Sequence, residues 1–174
     1  MNNTKITTSV VKGAIIGFLL VACSLAIQTT MDMKSGQKYS WVQFLILIAG
    51  IIWSCVHYAR QLDGAATFGN VFAYGFKVTA LVTLIVAVFT YIMVKFIFPD
   101  MAEKAIVVAR EEMEKDKSNK MTEERIEQTL AITRKYFAVF VIGGSILINL
   151  ILGCIASLIG AVVAKKNPNA NPIG

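Results

Sequence analysis

The segment NVFAYGFKVTALVTLIVAVFTYIMVKFIF, residues 70–98, is almost entirely apolar and determines the fold class. Its only charged residues are Lys77 near one end and Lys95 near the other, and Pro99 follows directly. As an α-helix the segment would be about 43 Å long, whereas the hydrocarbon core of a bilayer is about 30 Å thick. We therefore predict a membrane-spanning helix that ends or kinks at Pro99.

The composition points the same way. Hydrophobic residues make up 56% of the 174-residue chain and charged residues 16%, whereas a soluble domain carries about 25% charged residues. The net charge of +6 is typical of membrane proteins with Lys and Arg at the ends of their spans. No basic stripe with interleaved aromatic residues lies outside the apolar segments, so we expect contact with the lipid bilayer and none with nucleic acid.

Three further apolar segments predict three more spans. Together with residues 70–98 they predict a single membrane domain, 1–174, whose spans lie at about 10–29, 41–59, 70–98 and 136–164. Residues 29–40 are predicted to form a polar turn, after which Ser40 caps the second span. Gly64 and Gly69 are predicted to break the chain between the second and third spans.

Residues 100–135 have a different character, with nine acidic and eight basic side chains. Apolar residues recur at helical spacing on two stretches, at Ala102, Ile106, Ala109 and Met113 and again at Ile126, Leu130, Thr133 and Phe137. We predict a helical hairpin outside the bilayer that breaks near 117–120, resumes after an N-cap at Thr122 and continues into the fourth span. The fold class is therefore an all-α four-helix transmembrane bundle with an extramembrane hairpin between spans three and four, and residues 165–174 are predicted to be a mobile tail.

Small side chains form stripes that predict helix packing. Gly13 and Gly17 make a GxxxG pair in the first span, and Ala80, Thr83, Ala87 and Thr90 share one face of the third. Ser145, Asn149, Gly153, Ser157 and Ala161 recur every fourth residue in the last span. Spans one, three and four are therefore expected to meet along these faces.

Few polar groups in the spans offer chemistry, and none of them is Asp or Glu. Lys77, His57 and Asn149 are most simply explained as a snorkelling lysine, an interfacial anchor and an interhelical hydrogen bond. The alternative for Lys77 and Asn149 is that, with Thr83 and Thr90, they line a polar path.

Motifs for catalysis are missing from the sequence. It contains no nucleophile–base spacing, no phosphate-binding glycine loop and no HExxH. Cys23, Cys55 and Cys154 fall in different spans without metal-ligand spacing, which predicts buried, reduced thiols. We expect no enzymatic activity, no cofactor and no metal. A lipoprotein signal ending at Leu20-Val21-Ala22-Cys23 is the alternative interpretation of the first span, and it would place a lipid on Cys23.

The run Phe68-Gly69-Asn70-Val71-Phe72-Ala73-Tyr74-Gly75 follows Tyr58-Ala59-Arg60 at the end of one span and precedes Phe98-Pro99 at the end of the next. With the four spans and the charged stretch before the last, it resembles the bacterial membrane proteins of domain-of-unknown-function family 4199. The resemblance implies a multi-pass protein of the inner membrane with cytoplasmic termini, and it transfers no functional residue. The distribution of Lys and Arg opposes this orientation, because six of the 17 lie on the terminal side and the other 11 on the hairpin side.

Two functions remain open from the sequence. The first is an accessory or scaffold protein whose charged hairpin or small-residue helix faces bind a membrane-protein partner, because the spans are chemically empty and the hairpin is rich in charge. The second is a small carrier or channel, working as a homo-oligomer, with Asn149 and hydroxyl side chains lining a path. A lipid-modifying enzyme is a weaker third, because no acid–base pair faces an interface.

Overall fold

The computed structural model describes residues 8–30, 33–115 and 122–164 of the chain. This part of the chain forms α1 (Ser9–Thr30), α2 (Met33–Gln61), α3 (Phe68–Ile92), α4 (Met101–Lys115) and α5 (Glu123–Val163), with a π-helical turn at Met93–Ile97 after α3. Four of these helices, α1, α2, α3 and α5, are long and apolar enough to cross a membrane. The chain is therefore an all-α bundle, as predicted.

The turn between α2 and α3 depends on two left-handed residues. Asp63 and Gly64 have φ angles of 48° and 75°, and the Gly64 amide donates to the Ala59 carbonyl at 3.0 Å, which closes the end of α2. Thr67 then caps α3 by accepting a hydrogen bond from the Asn70 amide. The prediction that Gly69 breaks the chain was wrong, because it lies in the first turn of α3, where the Thr67 cap already starts the helix.

The start of α2 also differs from the prediction. α2 begins at Met33, so Ser40 lies inside the helix and is not its cap, and most of the predicted polar turn 29–40 is helical. Residues such as Lys, Gln and Met in 33–40 are good helix formers. A helix that has already formed in the bilayer can therefore continue through them.

The end of α3 is a wide turn. The Phe98 amide donates to the Met93 carbonyl at 2.8 Å, an i→i−5 bond that inserts one extra residue into the last turn. Pro99 follows, lacks an amide proton and ends the helix as predicted. α4 starts two residues later at Met101.

The four long helices pack as a ring in the order α1, α2, α5, α3, and α3 packs most extensively against α5. The termini of the described chain and the α2–α3 turn lie at one end, which we call the terminal end; the hairpin lies at the other. The core is filled by side chains with almost no exposure: Leu47, Ile51, Cys55, Val71, Val78, Val82, Ala156 and Ser157. Most of the large exposed side chains on the spans are apolar, as expected of a surface that faces lipid.

The hairpin consists of α4 and the N-terminal part of α5. Ile106 packs against Ile126 and Leu130, with Ala109 and Met113 beside them. All five are apolar positions named from the sequence. Thr122 is the N-cap residue of α5, as predicted, although its side chain makes no capping hydrogen bond. α5 then continues through the hairpin into the bundle without a break. The predicted break at 117–120 and the predicted tail at 165–174 lie outside the described residues.

Candidate functional site

A cavity of about 330 Å³ lies inside the half of the bundle that is nearer the hairpin. Its walls come from α1, α2, the end of α3 with its π-helical turn, and α5, and Met101 at the start of α4 also lines it. The volume lies at the lower end of the range of about 300–1,000 Å³ that is typical of small-molecule sites. The widened turn at Met93 and Val94 forms part of the wall, and such turns are frequent at functional sites.

The described residues that line the cavity are uncharged, and they form a largely apolar wall interrupted by six amide and hydroxyl side chains: Ser24, Gln28, Gln43, Thr90, Ser145 and Asn149. Asn149 lies deep in the bundle and is only 8% exposed. No hydrogen bond joins its amide to another side chain or backbone group in the described part of the chain. Its amide atoms are not among the fully buried polar atoms that lack a partner, so the amide opens on the cavity, where a small molecule can bind it.

Hydrogen bonds within the wall already use several donors. The hydroxyls of Thr90 and Ser145 donate to the carbonyls of Val86 at 2.8 Å and Ile142 at 2.9 Å in their own helices. Gln28 Nε2 donates to Ser24 Oγ at 3.1 Å, while Gln28 Oε1 is buried without a partner among the described residues. The cavity therefore keeps acceptor oxygens at Thr90, Ser145 and Gln28, beside the N–H donors of its amide side chains.

The predicted polar path is only partly reproduced in the arrangement of these groups. Thr90 and Asn149 both line the cavity. Thr83 is buried elsewhere, and its hydroxyl has no partner in the described chain. Lys77 lies on the exposed face of α3 and is not among the lining residues, so a route through the cavity does not include it.

Several of the small residues named as packing candidates lie at close helix contacts. A Cβ atom on Gly13 would come within 2.9 Å of the Leu81 side chain, and one on Gly17 equally close to Ile85. A Cβ on Gly153 would overlap the Thr79 side chain, which places α5 directly against α3. Ala80, by contrast, is exposed, and Ala87 is half-buried.

The small-residue stripe of α5 changes role along its length. Ser157, which packs at the terminal end near Gly75 of α3, is completely buried. Ser145 and Asn149, two turns or more nearer the hairpin, line the cavity instead. One sequence pattern therefore serves helix contact at one end and a polar wall at the other.

A second polar cluster occupies the terminal end, and the sequence reasoning missed it. Lys12 is 2% exposed, and its ammonium donates to the backbone carbonyl of Ser54 at 3.2 Å. The same ammonium lies 5.4 Å from the ring centroid of Trp53 and 5.2 Å from that of Tyr74, so cation–π attraction and one carbonyl hold the charge. His57 stacks on Trp53 at 5.3 Å.

The described residues contain no group of three or more His, Cys, Asp or Glu side chains that could hold a metal ion. Cys55 and Lys12 are both deeply buried in the terminal half of the bundle. Cys23 lies in the middle of α1 and is half-buried.

These features define a class: a multi-pass helical membrane protein with a charged extension between its last two spans and a cavity whose described lining is uncharged. The chain belongs to the DUF4199 family of proteins of unknown function, whose family model matches residues 12–166. No curated protein and no solved structure matches the chain.

Proposed function

We propose that this protein binds a small uncharged molecule in the cavity and carries it across the membrane, without chemical conversion. The single observation that carries the proposal is Asn149, a deeply buried amide that lines a cavity and has no partner among the described residues. Thr90, Ser145 and Gln28 add further hydrogen-bonding groups in the same space. This develops the carrier interpretation of the sequence.

The terminal half of the bundle favours a carrier over an open channel. Cys55, Val71 and Val78 are essentially inaccessible there, and Lys12 fills the space between α1, α2 and α3. A permanently open pore would need a polar route through these side chains. Movement of a molecule through the terminal half would therefore require the helices to separate.

The test is solute uptake by proteoliposomes containing the whole chain. We expect Asn149→Leu and the cavity-filling Ser145→Phe each to reduce uptake of neutral solutes such as glycerol to the rate of protein-free vesicles. Lys77→Met is the matched control, because Lys77 is polar and lies in a span but outside the cavity wall. Uptake that is unchanged in both cavity variants would contradict the proposal.

A second candidate function is that of an accessory subunit that binds another membrane protein through the hairpin. The supporting observation is that the arms are fixed together by the Ile106, Ile126 and Leu130 cluster and by ion pairs from Arg110 to Glu127 and from Arg134 to Glu103. Val107 remains 57% exposed on α4. A fixed element with an exposed apolar position among charges is suited to binding a protein partner.

Pull-down at native expression from mild detergent tests this second function. We expect Val107→Glu to remove the partner that wild type retains, while Glu112→Gln, at another exposed position of α4, retains it. If both variants retrieve the same proteins as wild type, the outer face of α4 is not the binding surface. A second copy of the chain would be distinguished from a different protein by mass spectrometry of the retained complex.

For the orientation we propose cytoplasmic termini in a bacterial inner membrane, as the family resemblance implies. A Ser118→Cys variant, in a background where Cys23, Cys55 and Cys154 are replaced by Ser, tests this by labelling intact cells with a membrane-impermeant thiol reagent. Labelling before the cells are opened supports the proposed orientation. Labelling only after they are opened reverses it.

A further inference from the structure

The cavity combines an apolar wall with uncharged polar groups, and this combination limits the class of ligand that it can bind. Its apolar wall includes Phe44, Phe89 and Ile148, whereas its polar groups are amides and hydroxyls, and the described lining carries no charge. A charged ligand would leave an ion uncompensated in a medium of low dielectric constant, which is costly. The lining therefore favours an uncharged ligand with a substantial apolar part.

The hydrogen-bonding groups of the lining limit the ligand class further. The hydroxyl protons of Thr90 and Ser145 are already donated to carbonyls of their own helices, so their oxygens remain as acceptors. Gln28 Oε1 is a buried acceptor without a partner in the described chain. Asn149 supplies both an acceptor and donors. A ligand head group that donates hydrogen bonds satisfies these acceptor oxygens, whereas one that only accepts leaves them unpaired.

We propose that the ligand is an uncharged amphiphile whose head group carries hydroxyl or amide donors, with the head at Asn149 and Gln28 and the hydrocarbon part against the apolar wall. This inference rests on the proposed function and specifies its ligand class. The head of a neutral glycerol-based lipid and a shorter free alcohol share this chemistry. At about 330 Å³ the cavity is small, so a longer lipid would leave part of its chain outside.

Binding is measured with the whole chain in lipid nanodiscs, so that detergent does not compete. The probes are 1-O-decylglycerol, its dimethyl ether, decanoate and glycerol. The dimethyl ether replaces both hydroxyl protons by methyl groups and so removes the donors, decanoate is charged, and glycerol lacks a tail. We expect decylglycerol to bind at least tenfold more tightly than any of the other three. We expect Asn149→Leu to weaken decylglycerol binding about tenfold, while Lys77→Met leaves it unchanged.

Photolabelling with a diazirine on the decyl chain locates the bound tail, and a labelled diacylglycerol distinguishes a membrane lipid from a free short-chain alcohol as the source. Labelled peptides from the cavity walls of α1, α3 and α5 support the inference. Equal affinity for decylglycerol and its dimethyl ether, tighter binding of decanoate, or labels confined to the lipid-facing surface would overturn it.

The experiments distinguish a failure of the proposed ligand class from a failure of the proposed function. Asn149-dependent uptake or binding of glycerol without binding of decylglycerol would overturn the ligand class and leave the proposed transfer of a small uncharged molecule intact. If no probe binds and the uptake of neutral solutes is the same in wild type and Asn149→Leu, both are overturned.

Discussion

The ammonium of Lys12 donates to the backbone carbonyl oxygen of Ser54 at 3.2 Å, deep between α1, α2 and α3. The same ammonium lies over the rings of Trp53 and Tyr74. A lysine near the start of a span commonly extends its side chain to the interface, but this one points inward. Its butyl stem therefore fills core volume as well as carrying charge.

Lys12 leads to a paired prediction about stability. Lys12→Ala should lower the free energy of unfolding by about 2–4 kcal/mol, because it leaves a cavity in the core. Lys12→Met should unfold at a temperature equal to or above that of wild type, because it keeps the volume without burying a charge. Thermal unfolding in detergent measures both, with Lys95→Met as a control at an exposed cation–π contact with Tyr91. A Lys12→Met variant that unfolds as early as Lys12→Ala would show that the charge itself stabilises the bundle.

The contact between α3 and α5 gives a second prediction. Gly153→Ala should lower the free energy of unfolding by about 1–3 kcal/mol, because the new methyl group would overlap Thr79 and force the helices apart. Gly143→Ala on the same helix is the control, since a Cβ there has no neighbour within 4 Å. It should be neutral or slightly stabilising, because Ala is the better helix former. Equal effects of the two substitutions in thermal unfolding would contradict this view of the contact.

Asn149 should show opposite effects on stability and binding. Asn149→Leu should raise the free energy of unfolding by about 1 kcal/mol, because the substitution removes a buried amide without a protein partner. The same variant should lose uptake of neutral solutes. A thermal-unfolding measurement beside the transport assay separates a cavity role from a structural one: a variant that is strongly destabilised would indicate that the amide stabilises the bundle.

The hairpin should depend more on its apolar cluster than on its ion pairs. Ile106→Ala should increase amide hydrogen exchange throughout α4, because truncating a buried isoleucine costs about 2–4 kcal/mol. Glu103→Gln, which removes the exposed ion pair with Arg134, should change little, since such pairs contribute about 0–1 kcal/mol. Val107→Ala on the exposed face of α4 is the control for truncation. Faster exchange in Glu103→Gln than in Ile106→Ala would reverse this ranking.

The start of α4 makes a prediction about pH. The side-chain hydrogen bond from Lys104 lowers the pKa of Asp100 below its ordinary value. A carboxyl with a lowered pKa in the folded state stabilises that state above its unfolded pKa and loses this contribution as the pH falls through the folded pKa. NMR titration should therefore show a higher Asp100 pKa in Lys104→Met than in wild type. An unchanged pKa would contradict the role of Lys104.

Sequence periodicity and charge located the helices because each span had to be apolar along its length and the end of α3 was fixed by Pro99. The hairpin contacts followed for the same reason, since Ile106, Ile126 and Leu130 stand at helical spacing. The start of α2 did not follow, because polar residues that form helices well look like a turn when they are found between two spans. No periodicity reveals the π-helical turn at Met93–Ile97.

The candidate site was only partly predictable. Asn149 and Thr90 were named because polar residues inside spans are costly. Gln28, at the end of the first predicted span, was not named as a site residue, although it lines the cavity. Whether a residue such as Lys77 faces lipid or a cavity depends on how four helices pack together. That information is tertiary, and it also decides that Lys12 and Ser54 meet across 42 positions of sequence.

α5 has 41 residues, which makes it a rod of about 61 Å, roughly twice the thickness of the hydrocarbon core. Because α5 is continuous, the arm that packs against α4 and the cavity wall that carries Asn149 belong to the same helix. A molecule bound at the hairpin and a molecule bound in the cavity would therefore both rest on α5.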